Sequence, residues 1–196
     1  MDKRLHRTQS AHHLLQGVLP CDCLFCTNAT RTRCGILRTS TALFFEAWIS
    51  ARPDTFYTPE GFDQALQLGL QQQAAGQAYH YLIWQSDSLA GRISLTQVRQ
   101  TPCVSATVSY RIAPSFAGHG LASEAVRLVM EKAFHAHHLQ RLEATARPDH
   151  PAAMRVLLKN GFQQFGHSHC SLQLHRQWLD LLYFEAHAPA LAQRQA

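Results

Sequence analysis

The sequence predicts a mixed α/β fold, one sheet with helices packed against it. Three observations carry that prediction. Three β-rich runs follow one another between Tyr79 and Ile112, a strand-helix-strand-helix alternation runs from Val104 to Asn160, and two more strand runs close the chain between Phe165 and Ala186. With 196 residues, 46% of them hydrophobic and 16% charged, the chain fits one folded unit with a substantial core and not a disordered or fibrous polymer.

Residues 1–33 are polar and basic without a sustained period, so they are expected to be an appendage, with the folded domain over 34–188 and a tail over 189–196. Cys34–Arg38 suits a short first strand. Thr41–Ser50 spaces its apolar side chains as a helix does, and Pro53 ends it. Thr58-Pro59-Glu60 is a helix start, with Thr as N-cap and Pro in the first position, and the helix continues through Leu66 and Leu70 to about Ala75 before Gly76. Tyr79–Trp84 and Leu89–Val98 read as a hairpin about a turn at 86–88, and Val104–Ile112 is a third strand stopped by Pro114. From Leu121 on, Ala122, Ala125, Val126, Val129, Met130, Ala133 and Phe134 recur at helical steps and predict one buried face. Arg141–Ala146 is a short buried strand, Pro151–Asn160 a helix capped by Gly161, and Phe165–Leu174 and Gln177–Ala186 are the last strands. Trp178 and Phe184 are expected in the core.

No apolar run approaches membrane-spanning length, and Gln16, Gly17 and Pro20 interrupt any signal-peptide core near the start, so a cytoplasmic protein without membrane contact is expected. The net charge of +5 is uneven: residues 1–38 hold six Lys or Arg against two Asp. Six charges over that length make a weak patch, and no nucleic-acid module is expected. Cys21, Cys23, Cys26 and Cys34 could place thiolates around zinc, but the spacing lacks two Cys-x-x-Cys knuckles, so no metal is assigned. The pairs within His135–His138 and His167-x-His169 lack nearby ligands and are treated the same way.

The segment Phe116-Ala-Gly-His-Gly-Leu-Ala-Ser-Glu-Ala-Val126 sets two glycines between a strand and a helix. Such a turn leaves backbone N–H groups without intrahelical partners at the positive end of the helix dipole, which suits an anion. It matches neither the dinucleotide fingerprint nor the lysine-bearing phosphate loop, and taken alone it is better read as a plain strand-to-helix turn.

The string Ser109–Ala125 around this turn resembles the acetyl-CoA segment of the GNAT acetyltransferase superfamily. Arg147-Pro-Asp-His-Pro-Ala-Ala-Met-Arg-Val-Leu-Leu-Lys-Asn-Gly-Phe162 and Gln177-Trp-Leu-Asp180 resemble its RimJ/RimL branch, the ribosomal-protein N-terminal acetyltransferases and their relatives. The likeness covers about residues 34–188. It implies a GNAT fold: a mostly antiparallel sheet splayed between its fourth and fifth strands and flanked by about four helices. It also implies an acetyl-CoA-dependent N-acetyltransferase in which Ala117, Gly118, His119, Gly120, Leu121 and Ala122, with Ser123 beside them, hold the pyrophosphate. Backbone at Tyr110, Arg111 and Ile112 would pair with the pantetheine arm. The implied acceptor is a primary amine, a protein N-terminus or a small molecule, and the implied assembly a monomer or homodimer.

Departures from the family pattern matter. Ala117 stands where Gln or Arg is usual, and His150 and Ala153 stand where the family favours Asn and Ser near the cofactor thiol. The usual glutamate base maps onto Thr107, which leaves Ser109, two residues on, and His150 as the candidate catalytic groups. His150 also sits where a helix cap is expected. Glu143 and Glu124 lie near the expected groove, although strand solvation and helix N-terminal charge account for them. An alternative follows: an acetyl-CoA-binding module of weak catalysis whose basic, cysteine-bearing extension binds RNA, ribosome or zinc.

Overall fold

The computed structural model describes residues 58–86 and 88–192. The expected extension, its cysteines, the strand at 34–38 and the helix at 41–50 lie outside them.

Helix α1 (Pro59–Ala74) starts as its sequence requires: Thr58 Oγ1 accepts from the Gly61 amide at 3.1 Å, and Pro59 occupies the first turn. It lays Leu66 on Leu82 of β1 (Tyr79–Gln85). Strands β1, β2 (Ser88–Arg99) and β3 (Ser105–Ile112) form an antiparallel meander. Helix α2 (Leu121–His135) crosses back over the sheet, so β4 (Arg141–Ala146) returns parallel to β3. Helix α3 (Pro151–Lys159) and the hairpin of β5 (Gln163–Leu174) and β6 (Gln177–His187) follow, with a short helix α4 (Pro189–Ala192) inside the expected tail. The sheet order is β1-β2-β3-β4-β6-β5, with β3–β4 the parallel junction.

The core lies between α2 and the sheet. Ala125, Val126, Val129 and Ala133 are buried against Ile83, Ile93, Leu95, Ala106 and Val108. Each valine there contributes about 2 kcal/mol by leaving water, and the three- and four-residue spacing seen in the sequence is this face. Phe184 is buried as expected. Trp178 is not: it is 59% exposed, because it lies near the hairpin end, beyond the stretch of β6 that β4 covers.

One feature of the sheet governs the rest. The β3–β4 ladder runs through Ser105↔Arg141, Ala106↔Leu142 and Thr107↔Glu143 and then stops. Beyond it β3 stays paired to β2 as far as Ile112, and β4 stays paired to β6 as far as Ala146. The two strands therefore diverge into an open wedge, the splay that the resemblance implies.

Candidate active site

The turn after β3 sits at the mouth of this wedge. Ala113 is anchored to Ala90 by its amide at 2.8 Å, a 3-10 turn at Pro114–Phe116 follows, and the Ala117 amide closes on Pro114 at 3.1 Å. Gly118 and Gly120 then take φ of 84° and 78°. An added Cβ would meet nothing within 4 Å at either, so the demand for glycine is conformational and not one of space. Gly120 is the N-cap of α2 and offers no side-chain cap. Among the described residues the amides from Gly118 to Ser123 make no hydrogen bond; the first helical one is from Glu124 to the Gly120 carbonyl, 3.1 Å. A run of unpartnered donors at a helix N-terminus, on open backbone, fits a pyrophosphate.

Two neighbours shape this end of α2. The Glu124 carboxylate lies 2.8 Å from Arg127, whose hydrogen bond holds its pKa below the usual range, so its charge is partly balanced within the helix. Asn160 Nδ2 donates to Ser123 Oγ at 3.1 Å and to the Val156 carbonyl at 2.8 Å, pinning the first turn of α2 to the end of α3. Sequence reasoning took Asn160 only as a helix end and missed this link. Its position before Gly161 signals a cap and nothing more.

Inside the wedge, Tyr110 reaches from β3 to α3, its hydroxyl donating to the Ala153 carbonyl at 3.4 Å, and burial pushes the phenol's pKa up so that it stays protonated. Ser109 is exposed, and Arg111 and Ile112, which end β3, are partly exposed. Thr107 donates to Gln97 Oε1 at 3.0 Å. Glu143 lies opposite Glu185 in register, and Arg141 bridges the two at 2.8 and 2.6 Å, which removes the repulsion of facing carboxylates. Glu143 is thus a partner in the sheet, not a carboxylate standing ready as a base.

His150 is the N-cap residue of α3, yet its side chain makes no capping bond, against the structural role weighed for it. Burial lowers its pKa; Asp149, itself paired with Arg147, opposes that shift and Arg147 adds to it. A second histidine went unnoticed in the sequence. His80, Ser94 and Ser109 stand in one cross-strand row on β1, β2 and β3, and His80 Nδ1 lies 2.9 Å from the oxygen of the buried Ser94. Burial, with Arg92 in support, lowers the His80 pKa. Only strand register reveals this row, since its members are far apart in the chain.

The other histidines divide. His137 stacks on Tyr79 at 3.5 Å and bonds the Tyr81 hydroxyl at 2.6 Å, tying the end of α2 to β1. His167 and His169 both meet Asp180, correcting the expectation that no further ligand is near.

A sheet parted beside an unpartnered helix N-terminus fits the acyltransferase class that the resemblance implied. The family model of the acetyltransferase (GNAT) domain matches residues 38–163. The chain is 33% identical over 139 residues to the probable N-acetyltransferase YjcK of Bacillus subtilis (strain 168), covering 70% of this chain and 77% of that protein. Its fold is similar to the ribosomal-protein-S5-alanine acetyltransferase of Vibrio fischeri, with a TM-score of 0.78 at 20% identity over 82% of this chain and 89% of that one. It is also similar to Mycobacterium smegmatis RimJ in complex with CoA-disulfide, with a TM-score of 0.76 at 22% identity over 83% and 79%. The chain belongs to the GNAT acetyltransferase family. It is an acyltransferase.

Proposed function

We propose that the protein transfers the acetyl group of acetyl-CoA to a primary amine in the cytoplasm, with a protein N-terminal amine as the acceptor. The observation that carries this reading is the run of unpartnered amides from Gly118 to Ser123 at the mouth of the β3–β4 wedge. The acceptor class is supported by the RimJ and ribosomal-protein acetyltransferase likenesses.

Acetyl-CoA supplies a thioester carbonyl, an electrophile. Backbone from Gly118 to Ala122 holds the pyrophosphate, while Ala117 adds no polar side chain, so affinity rests on the amides. Backbone at Tyr110, Arg111 and Ile112 lines the pantetheine arm, and an amide there polarises the carbonyl. The amine nitrogen attacks the carbonyl carbon, the carbon–sulfur bond breaks, and the thiolate leaves. With no glutamate at Thr107, the amine's proton passes to a neutral imidazole: His150 at the start of α3, or His80 through water and the Ser94–Ser109 row.

The test is release of CoA thiol by the full chain with peptides of varied N-terminal residue and with small amines. Turnover on peptides, with acetylation mapped to the α-amine, supports the reading. Turnover on small amines alone removes the protein acceptor, and tight CoA binding without any thiol release removes the transfer.

A further inference from the structure

We propose that the β5–β6 hairpin carries a binding site for a divalent transition-metal ion of the zinc type, with His167, His169 and Asp180 as its protein ligands. The site is built by a bulge. Ser168 pairs with Leu181 and Leu172 with Leu179, so β5 spends residues 169–171 where β6 spends only Asp180. Cys170 turns to φ 50° in that bulge and donates its amide to Asp180 Oδ1 at 2.9 Å. This bond aims the other carboxylate oxygen, Oδ2, at His167 Nε2, 2.8 Å away, and at His169 Nδ1, 2.9 Å away. Three potential ligand atoms thus lie within 4.8 Å of one another.

Zinc bonds to nitrogen and oxygen of about 2.0–2.1 Å put tetrahedral ligand atoms roughly 3.3 Å apart, so to admit an ion each imidazole nitrogen moves away from Oδ2, and the two nitrogens, within 4.8 Å of each other, settle at that spacing. Each imidazole moves its proton to its other ring nitrogen and binds through the freed lone pair. The carboxylate binds through Oδ2 while the Cys170 amide keeps its orientation, as outer-shell donors do in metal sites. Two imidazoles and one carboxylate suit zinc, cobalt, nickel or copper and disfavour magnesium and calcium, which take oxygen. The His169 side chain is 75% exposed, so water can complete the coordination. Asp180 precedes Leu182, the partner of Ala146, by two residues on the antiparallel β6, which sets the site past the end of β4, at the end of the sheet where the wedge opens.

The test titrates Zn²⁺ calorimetrically into the 196-residue chain with Cys21, Cys23, Cys26 and Cys34 all replaced by serine, with Co²⁺ absorption as a second readout. One equivalent of zinc at micromolar affinity is expected, with cobalt d–d bands and no thiolate charge-transfer band. His169→Gln and Asp180→Asn should each weaken binding by at least about tenfold, with unchanged circular dichroism and unchanged CoA affinity. His169→Gln is the safer variant because its side chain reaches into solvent. Zinc uptake that is absent at micromolar concentration, or equal in the parent and both variants, overturns the site; so does a magnesium affinity matching that for zinc.

Discussion

Gly118 and Gly120 hold left-handed backbone at the mouth of the wedge, and residues with a Cβ pay about 1–2 kcal/mol to do so. Gly120→Ala should therefore fold yet bind CoA more weakly, while Gly120→Glu, which adds a like charge, should weaken binding by more than about tenfold, a loss of roughly 1.4 kcal/mol, in calorimetry. Normal affinity in both would contradict the cradle. His80 and His150 make a second residue-scale prediction. Burial lowers both pKa values, so both imidazoles are neutral at pH 7. Their contribution to stability is whole above the unfolded value near 6.5 and is lost as pH falls from there through the lower folded value. Chemical denaturation of the parent should show this loss between neutral and acidic pH, and His80→Gln should flatten it. If His150 takes the proton, His150→Gln lowers kcat more than it raises KM and removes the acid limb of the rate profile below pH 6.5. A profile that keeps its limb in that variant but loses it in His80→Gln assigns the proton to the row instead.

At the scale of elements, the wedge depends on how the end of β3 is held. Gly91 sits so close to β3 that an added Cβ would lie 2.2 Å from the Arg111 carbonyl, a backbone atom that cannot swing aside. Gly91→Ala should push Arg111 and Ile112 off β2, costing about 2 kcal/mol or more and weakening CoA binding, read by thermal melts and calorimetry together. The α2–α3 link makes a milder test. Asn160→Ala removes two partly buried hydrogen bonds, an expected loss of about 1–2 kcal/mol, and frees the turn that carries Ser123. A melt unchanged within error would show that Ser123 needs no such anchor.

For the whole molecule, the basic excess of residues 1–38 precedes, in sequence, the strands and helices that build the wedge. Removing residues 1–33 should leave CoA affinity and the melting transition unchanged; loss of either would make that segment part of the domain. No helix among the described residues is long and apolar enough to cross a membrane. Much of the fold was legible because its signals are local: Thr58 with Pro59 starts α1, the spacing from Leu121 writes the buried face of α2, and β4 is found at Arg141–Ala146, as its run of residues predicts. The glycine turn was legible for the same reason, since left-handed backbone and free amides follow from a few adjacent residues. Trp178 was misjudged because burial depends on which strand lies alongside, and β4 ends short of it. Asn160 beside Ser123, Asp180 between two histidines and the row from His80 to Ser109 bring together residues 37, 13, 11 and 14 or more positions apart. Local physical chemistry in the chain was enough to specify most of its elements, and short motifs carried the resemblance to its family. The place where β3 and β4 part, and the side chains that meet around it, came only from folding, because register and strand order are set by packing between segments that carry no mark of one another.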